Sequence, residues 1–255
     1  MAEGRYPGCQ IALAWQGRLL LNRSFGLARM GKSIGADAEP YPLSEVHKAD
    51  DQAIESQPDH LWLLYSNTKI LIATALWKLA ELGQLRFADP VAEYLPEFSR
   101  HGKGDVTIDH LITHQAGFPN AEVPASMWQD MAQVAAFYAD VVPDWPAGSR
   151  VHYHGLSAHW VLALVMEAIT GKRFQDAVTD MVLKPLGLSE DLFMGVSGKT
   201  AERISFMYEP DPDHAGKLRL RAENMTETWL QSGVPGGGAY VTVRGMLALY
   251  QMMLM

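Results

Sequence analysis

Ser66 and Lys69 stand three residues apart in the run Ser66-Asn67-Thr68-Lys69, and on a helix two side chains at that spacing share a face, one turn apart. A serine hydroxyl is a poor nucleophile near neutral pH until a neighbouring base takes its proton, and a lysine one turn away can be that base. The chemistry this pair suits is acyl transfer through a covalent ester on the serine. A place in the first helical turn would add to it, since unpaired N–H groups and the positive end of the helix dipole favour a developing alkoxide or oxyanion there. The same field, and burial in apolar surroundings, work against a charged ammonium on Lys69.

Ser-x-x-Lys alone is a common accident of surface helices. The context here is different. Ile70, Leu71, Ile72, Ala73, Ala75, Leu76, Leu79 and Leu82 follow, apolar on nearly every side, so residues 66–82 are expected as a buried helix with Gly83 at its C-terminal cap. A lysine inside such a helix needs a polar partner, because burying it unpaired costs several kcal/mol.

The elements that must hold this helix can be read around it. Residues 10–15 and 18–25, joined by Gln16-Gly17, are expected as a β-hairpin. From Gly26 to His60 the text is polar and rich in Gly, Pro, Asp and Glu, and is expected as a long surface connection. Further helices are expected over about 107–114, 126–140 and 156–170. Residues after Leu188 read as irregular until Gly236-Gly237-Gly238, which a short strand, Ala239 to Val243, and a last helical run to Met255 follow.

Composition bounds the class. A chain of 255 residues, 48% hydrophobic and 20% charged, suits one large soluble domain over 1–255, or two intimately packed subdomains, with a sizeable core. The net charge of −8 and only 21 Lys and Arg leave no basic footprint for nucleic acid. Cys9 is the single cysteine, so no internal disulfide can form. The start, Met1-Ala-Glu-Gly-Arg-Tyr-Pro, lacks the apolar run of a secretion signal, and no stretch approaches the ~18 apolar residues of a membrane span. A cytoplasmic location is the default expectation.

Other candidates weigh less. His110 and His114 lie four apart, and His152, His154 and His159 cluster, yet no Glu-x-x-His pattern or cysteine pair joins them, so capping and loop hydrogen bonds are expected rather than a metal site. The glycines at 236–238 lack the Lys-Ser/Thr of a phosphate cradle and are expected as a tight turn beside the active site. No cofactor is implied.

Beyond these patterns, the stretch from Leu61 to Leu95, with Leu64-Tyr65-Ser66-Asn67-Thr68-Lys69 and then Leu79-Ala80-Glu81-Leu82-Gly83-Gln84-Leu85, resembles the active-site helix and following turn of the serine β-lactamase-like family. That family comprises class C β-lactamases, family VIII carboxylesterases and penicillin-binding-protein-like enzymes. Ile108 to Pro119 resembles the family's helix and loop ending in His-x-Ser-Gly-Leu-Pro, with Ala116 where serine is usual, and Pro235 to Val243 its glycine-rich segment. The resemblance implies an α/β (α+β) fold in which an antiparallel sheet, begun here by a hairpin over 8–26, packs on a mostly helical region over about 60–190, with the site between them.

It also implies Tyr153 as the proton shuttle between nucleophile and leaving group, aided by Lys69. The family's Tyr-x-Asn motif reads Tyr153-His154-Gly155 here, so the residue that would grip a substrate amide has no side chain. This departure points towards esters, which need less help at the leaving group. His154, Gly155 and Ser157 are expected to line the substrate pocket. Lys199-Thr200-Ala201 and His214-Ala215-Gly216 resemble the family's third motif but precede Gly236, in the wrong order. The expectation is therefore a chain lacking the family's C-terminal part, leaving an exposed edge on the hairpin that a homo-oligomer or a second chain would complete.

The expected function is a serine hydrolase working through an acyl-enzyme, foremost a carboxylesterase on a small-molecule ester or amide substrate. A β-lactamase, a D-amino-acid peptidase and an acyltransferase use the same Ser/Lys/Tyr site and stay open. So does a non-catalytic relative that keeps the fold and binds a ligand or partner.

Overall fold

The computed structural model describes residues 6–31, 41–42 and 53–254, so much of the connection expected between Gly26 and His60 lies outside the described residues. Two compact units emerge, one holding 64–189 with 231–239 and the other the remainder.

The first unit is helical. Helix α1 (Thr68–Glu81) buries Thr68, Leu71, Ile72, Ala75, Leu76 and Leu79, a stripe at i, i+3, i+4 spacing in which each Leu or Ile contributes about 2 kcal/mol of burial. It ends in a Schellman turn, with Gly83 left-handed at φ 70° and amides 83 and 84 donating to the carbonyls of Ala80 and Leu79. Ser66 stands one step before the expected place. It lies in a 3-10 turn, Tyr65–Asn67, that feeds α1 rather than in the α-helix itself.

Helix α2 (Ile108–Ile112) opens with a capping box between Thr107 and His110. Helix α3 (Met131–Asp140) starts later than the expected residue 126. Asp130 accepts the amides of Ala132 and Gln133, which fixes the start, and residues 125–127 form a separate 3-10 turn. Helix α4 (Ser157–Thr170) buries every residue from 157 to 166 and ends on left-handed Gly171. It contacts α1, α2, α3 and the following helix α5 (Phe174–Val178), so it is the post on which the unit is assembled. Helix α5 and the π turn at 179–183 were not legible in the sequence pattern.

The second unit carries the strands. The hairpin forms as expected, β1 (Gly8–Trp15) against β2 (Arg18–Arg29), turning at Gln16 and Gly17, both with positive φ. Strand β2 runs on to Arg29, past the expected end. With β3 (Tyr41–Pro42), β4 (Ile54–Glu55) and β5 (Trp62–Leu63) come further strands. Residues 189–235, expected as irregular, instead hold β6 (Leu192–Met194), α6 (Gly198–Ala201), β7 (Tyr208–Pro210), β8 (Lys217–Leu220) and α7 (Glu227–Ser232). These elements are too short to show a period. Strand β9 (Ala239–Val241) and helix α8 (Val243–Met253) close the chain as expected.

Among the described residues the strands make three three-stranded sheets, ordered β1-β2-β4, β3-β8-β7 and β5-β9-β6. Strand β1 lies at an edge. Its residues Ile11, Leu13 and Trp15 are exposed, and so are Leu21 and Phe25 of β2, of which Leu21 pairs with Leu13 and Phe25 with Cys9. The other face of β1 meets α8, where the Gln10 side chain accepts the Val243 amide.

Candidate active site

The site is assembled from three segments of the helical unit: the start of α1, the loop before α4 and the glycine turn at 234–238. Three hydrogen bonds tie the first to the last. The Leu64 amide donates to the Ala239 carbonyl at 2.8 Å, the Ala239 amide to Thr68 Oγ1 at 3.1 Å, and Lys69 Nζ to the Gly236 carbonyl at 2.6 Å. The last bond is the polar partner that a lysine on this helix requires.

The turn needs glycine for closeness. A Cβ on Gly238 would lie 2.4 Å from the Val234 amide nitrogen, and one on Gly236 would lie 3.0 Å from both the Gly155 carbonyl oxygen and Leu156 Cδ2. The expected tight turn is therefore present. Its further role, presenting a carbonyl to Lys69, was missed, although Lys69's need for a partner was the available signal.

Lys69 Nζ also donates to Ser66 Oγ at 3.3 Å, and the Ser66 hydroxyl lies 2.6 Å from the Tyr153 hydroxyl. The structure thus brings together all three residues singled out for chemistry. Ser66 and Tyr153 are both exposed, so a substrate can reach them. Tyr65, just before the serine, holds a left-handed φ of 46°, the kind of strained backbone that clusters at functional sites. Burial opposes ionisation of the Tyr153 phenol, but hydrogen bonds to Ser66 and Lys69 together with the charge on Lys69 outweigh it, and the phenol titrates below its ordinary value.

Of the other expected pocket residues, His154 and Ser157 are committed elsewhere. His154 is wholly buried: its Nε2 accepts the Phe118 amide at 3.2 Å and its Nδ1 pairs with the His152 carbonyl at 2.7 Å. That pattern fixes a neutral ring with the proton on Nδ1. Ser157 is wholly buried too, donating to the Pro119 carbonyl at 3.3 Å. Gly155 leaves open space where a side chain would project, with no heavy atom within 4 Å of an added Cβ.

His110 caps α2, as expected, and His114 packs its ring 4.7 Å from that of Tyr153. The second of these contacts had no sequence signal, since it depends on a loop 39 positions away closing on α2. Among the described residues no group of three or more His, Cys, Asp or Glu is placed to hold a metal ion, and no helix is long and apolar enough to cross a membrane.

Known proteins resemble this chain at the level of both sequence and fold. An esterase/β-lactamase, LipL, of Mycobacterium tuberculosis is 30% identical over 175 residues, which is 64% of this chain and 40% of that protein. The crystal structure of a family VIII carboxylesterase superposes with a TM-score of 0.79 at 24% identity, covering 98% of this chain and 65% of the other. A penicillin-binding protein homologue from Caulobacter crescentus superposes with a TM-score of 0.76 at 22% identity, covering 97% and 64%. The chain spans about two fifths of the length of LipL. The fold is α/β with antiparallel sheets and helices, as in these structures. The β-lactamase family model matches residues 1–255, and the chain belongs to the β-lactamase family.

Proposed function

We propose that the protein is a serine hydrolase that works through an acyl-enzyme on Ser66, with small carboxylic esters as its substrates. The observation that carries this reading is the contact of the Ser66 hydroxyl with both Tyr153, at 2.6 Å, and Lys69, at 3.3 Å. Ser66 Oγ attacks the ester carbonyl while its proton passes to the Tyr153–Lys69 pair. The tetrahedral intermediate collapses, the ester C–O bond breaks, and the alcohol leaves with that proton. Water repeats the attack on the acyl-enzyme, and the acid is released with Ser66 restored. The lowered phenol of Tyr153 suits a group that must accept and return a proton. The Ser66 backbone N–H serves as one oxyanion donor.

Esters are favoured over amides by Gly155, which offers no side chain to a substrate amide. The same observation supports the rival, a non-catalytic member of the family that binds a ligand. Turnover of p-nitrophenyl acetate and butyrate, measured for the wild type and for Ser66→Ala, separates the two. Turnover that disappears with Ser66→Ala supports the esterase; turnover unchanged in Ser66→Ala sinks it, and none in either protein favours the rival.

A further inference from the structure

His114 occupies an expensive position. It follows α2 in a Schellman turn, its amide donating to the Leu111 carbonyl and the Gln115 amide to the His110 carbonyl at 2.7 Å, and its φ is +60°. Glycine is the relaxed residue there, and a side chain costs about 1 kcal/mol. What residue 114 provides is visible on either side of Tyr153, a backbone carbonyl on one side and the imidazole on the other. The His114 carbonyl accepts the His152 amide at 3.0 Å, and its Nδ1 accepts the His154 amide at 3.2 Å. The tyrosine is thus bracketed by two hydrogen bonds to one residue, with the two rings in contact at 4.7 Å.

We infer that His114, as a neutral imidazole, is the positioning residue that holds the Tyr153 phenol on the Ser66 hydroxyl. An Nδ1 that accepts a hydrogen bond carries no proton, so the ring's proton lies on Nε2. Protonating Nδ1 would set a donor against the His154 N–H donor and release one side of the bracket. The groups that face the ring all work against that proton. Burial comes first, then His154 beside Tyr153 and Lys69 on α1; His159 of α4, buried with 4% exposure, lies 6.1 Å away ring to ring. Asp144, the carboxylate in this cluster, acts on His154 rather than on His114. The His114 titration is therefore lowered. The bracket is complete above that lowered value and is lost as pH falls through it.

The inference rests on the acyl-transfer reading for its kinetic consequences, but its geometry can be tested without turnover. In His114→Gly the turn relaxes, so the melting temperature holds or rises. The expected kinetic result is a fall in kcat of about tenfold or more with KM within about twofold, the signature of a misplaced proton-transfer group. His114→Asn keeps a side-chain acceptor and tolerates a left-handed φ; it retains most of the activity, and its kcat/KM profile loses the acid limb that the imidazole sets. Independently, spectrophotometric titration of Tyr153, taken as the difference between each protein and its Tyr153→Phe counterpart, moves up towards an ordinary phenol in His114→Gly. An unmoved Tyr153 titration in His114→Gly, or a wild-type kcat there, overturns the inference. A wild type without Ser66-dependent turnover counts against the hydrolase reading alone, and the phenol titration then decides the role of His114.

Discussion

The hydroxyl oxygens of Ser66 and Tyr153 lie 2.6 Å apart although 87 positions separate them in the chain. Neither residue could be placed against the other by local pattern, yet each arrives by rigid means: Ser66 from the turn that feeds a buried helix, Tyr153 from a loop anchored on the end of α2.

Tyr153→Phe removes the phenol while keeping the ring packed on His114. Ester turnover is expected to fall by about a hundredfold or more, with KM little changed, because proton transfer and not binding is lost. Lys69→Met should fall at least as far, since both Ser66 and the Gly236 carbonyl lose their partner. Steady-state kinetics with p-nitrophenyl butyrate check both.

Gly155→Asn tests the reading of substrate class. No heavy atom lies within 4 Å of a Cβ added at this position, so the variant is expected to fold. An amide beside Tyr153 should improve hydrolysis of a β-lactam such as nitrocefin relative to an ester by about tenfold, the worth of one added hydrogen bond. Gly236→Ala is the contrasting case. Its methyl meets the Gly155 carbonyl and Leu156 and moves the carbonyl that holds Lys69, so both activities should drop together.

Lys103 is wholly buried and donates from Nζ to the carbonyls of Arg100 at 2.8 Å, Ala139 at 3.0 Å and Val141. Three carbonyls, two of them at the C-terminal end of α3, use all three ammonium donors and lie at the negative end of the helix dipole. Lys103→Met fills the space but leaves those carbonyls unpaired. It should cost about 3 kcal/mol in urea unfolding.

His114, His154 and His159 all titrate below an ordinary histidine, burial being the first cause in each. The unfolded chain therefore takes up protons before the folded one as pH drops below about 6.5. Stability is full above that value and declines as pH falls towards each lowered folded value, by at most about 1.4 kcal/mol per pH unit for each proton. Urea unfolding between about pH 7 and pH 5 reads this slope. It should be shallower in His159→Leu.

The legible parts of the sequence were those with a period or a cap. The apolar stripe of α1 with its Gly83 cap, the Gln16-Gly17 turn and the terminal helix follow from local chemistry, and the structure has them all. The strands between Leu192 and Leu220 are three or four residues long and gain their form from partners distant in sequence, so no period betrays them. At the site, Ser66 and Lys69 announce themselves by spacing and burial, whereas Tyr153 was identified through resemblance. His154 and Ser157 stood next to a key residue and were expected in the pocket, but adjacency along a loop says nothing of direction, and both side chains turn into the core. The Gly236 carbonyl and the His114 bracket are contacts of backbone with side chain across distant segments, which no motif spells out.

Whether Ser66 carries the acyl group is read by mass spectrometry of the protein quenched during turnover of p-nitrophenyl acetate, followed by peptide mapping. A mass gain of one acetyl group is expected on the peptide containing Ser66, and none in Ser66→Ala. Sustained Ser66-dependent turnover with no acyl group on that peptide, or an acyl group that persists in Ser66→Ala, would contradict an acyl-enzyme on Ser66.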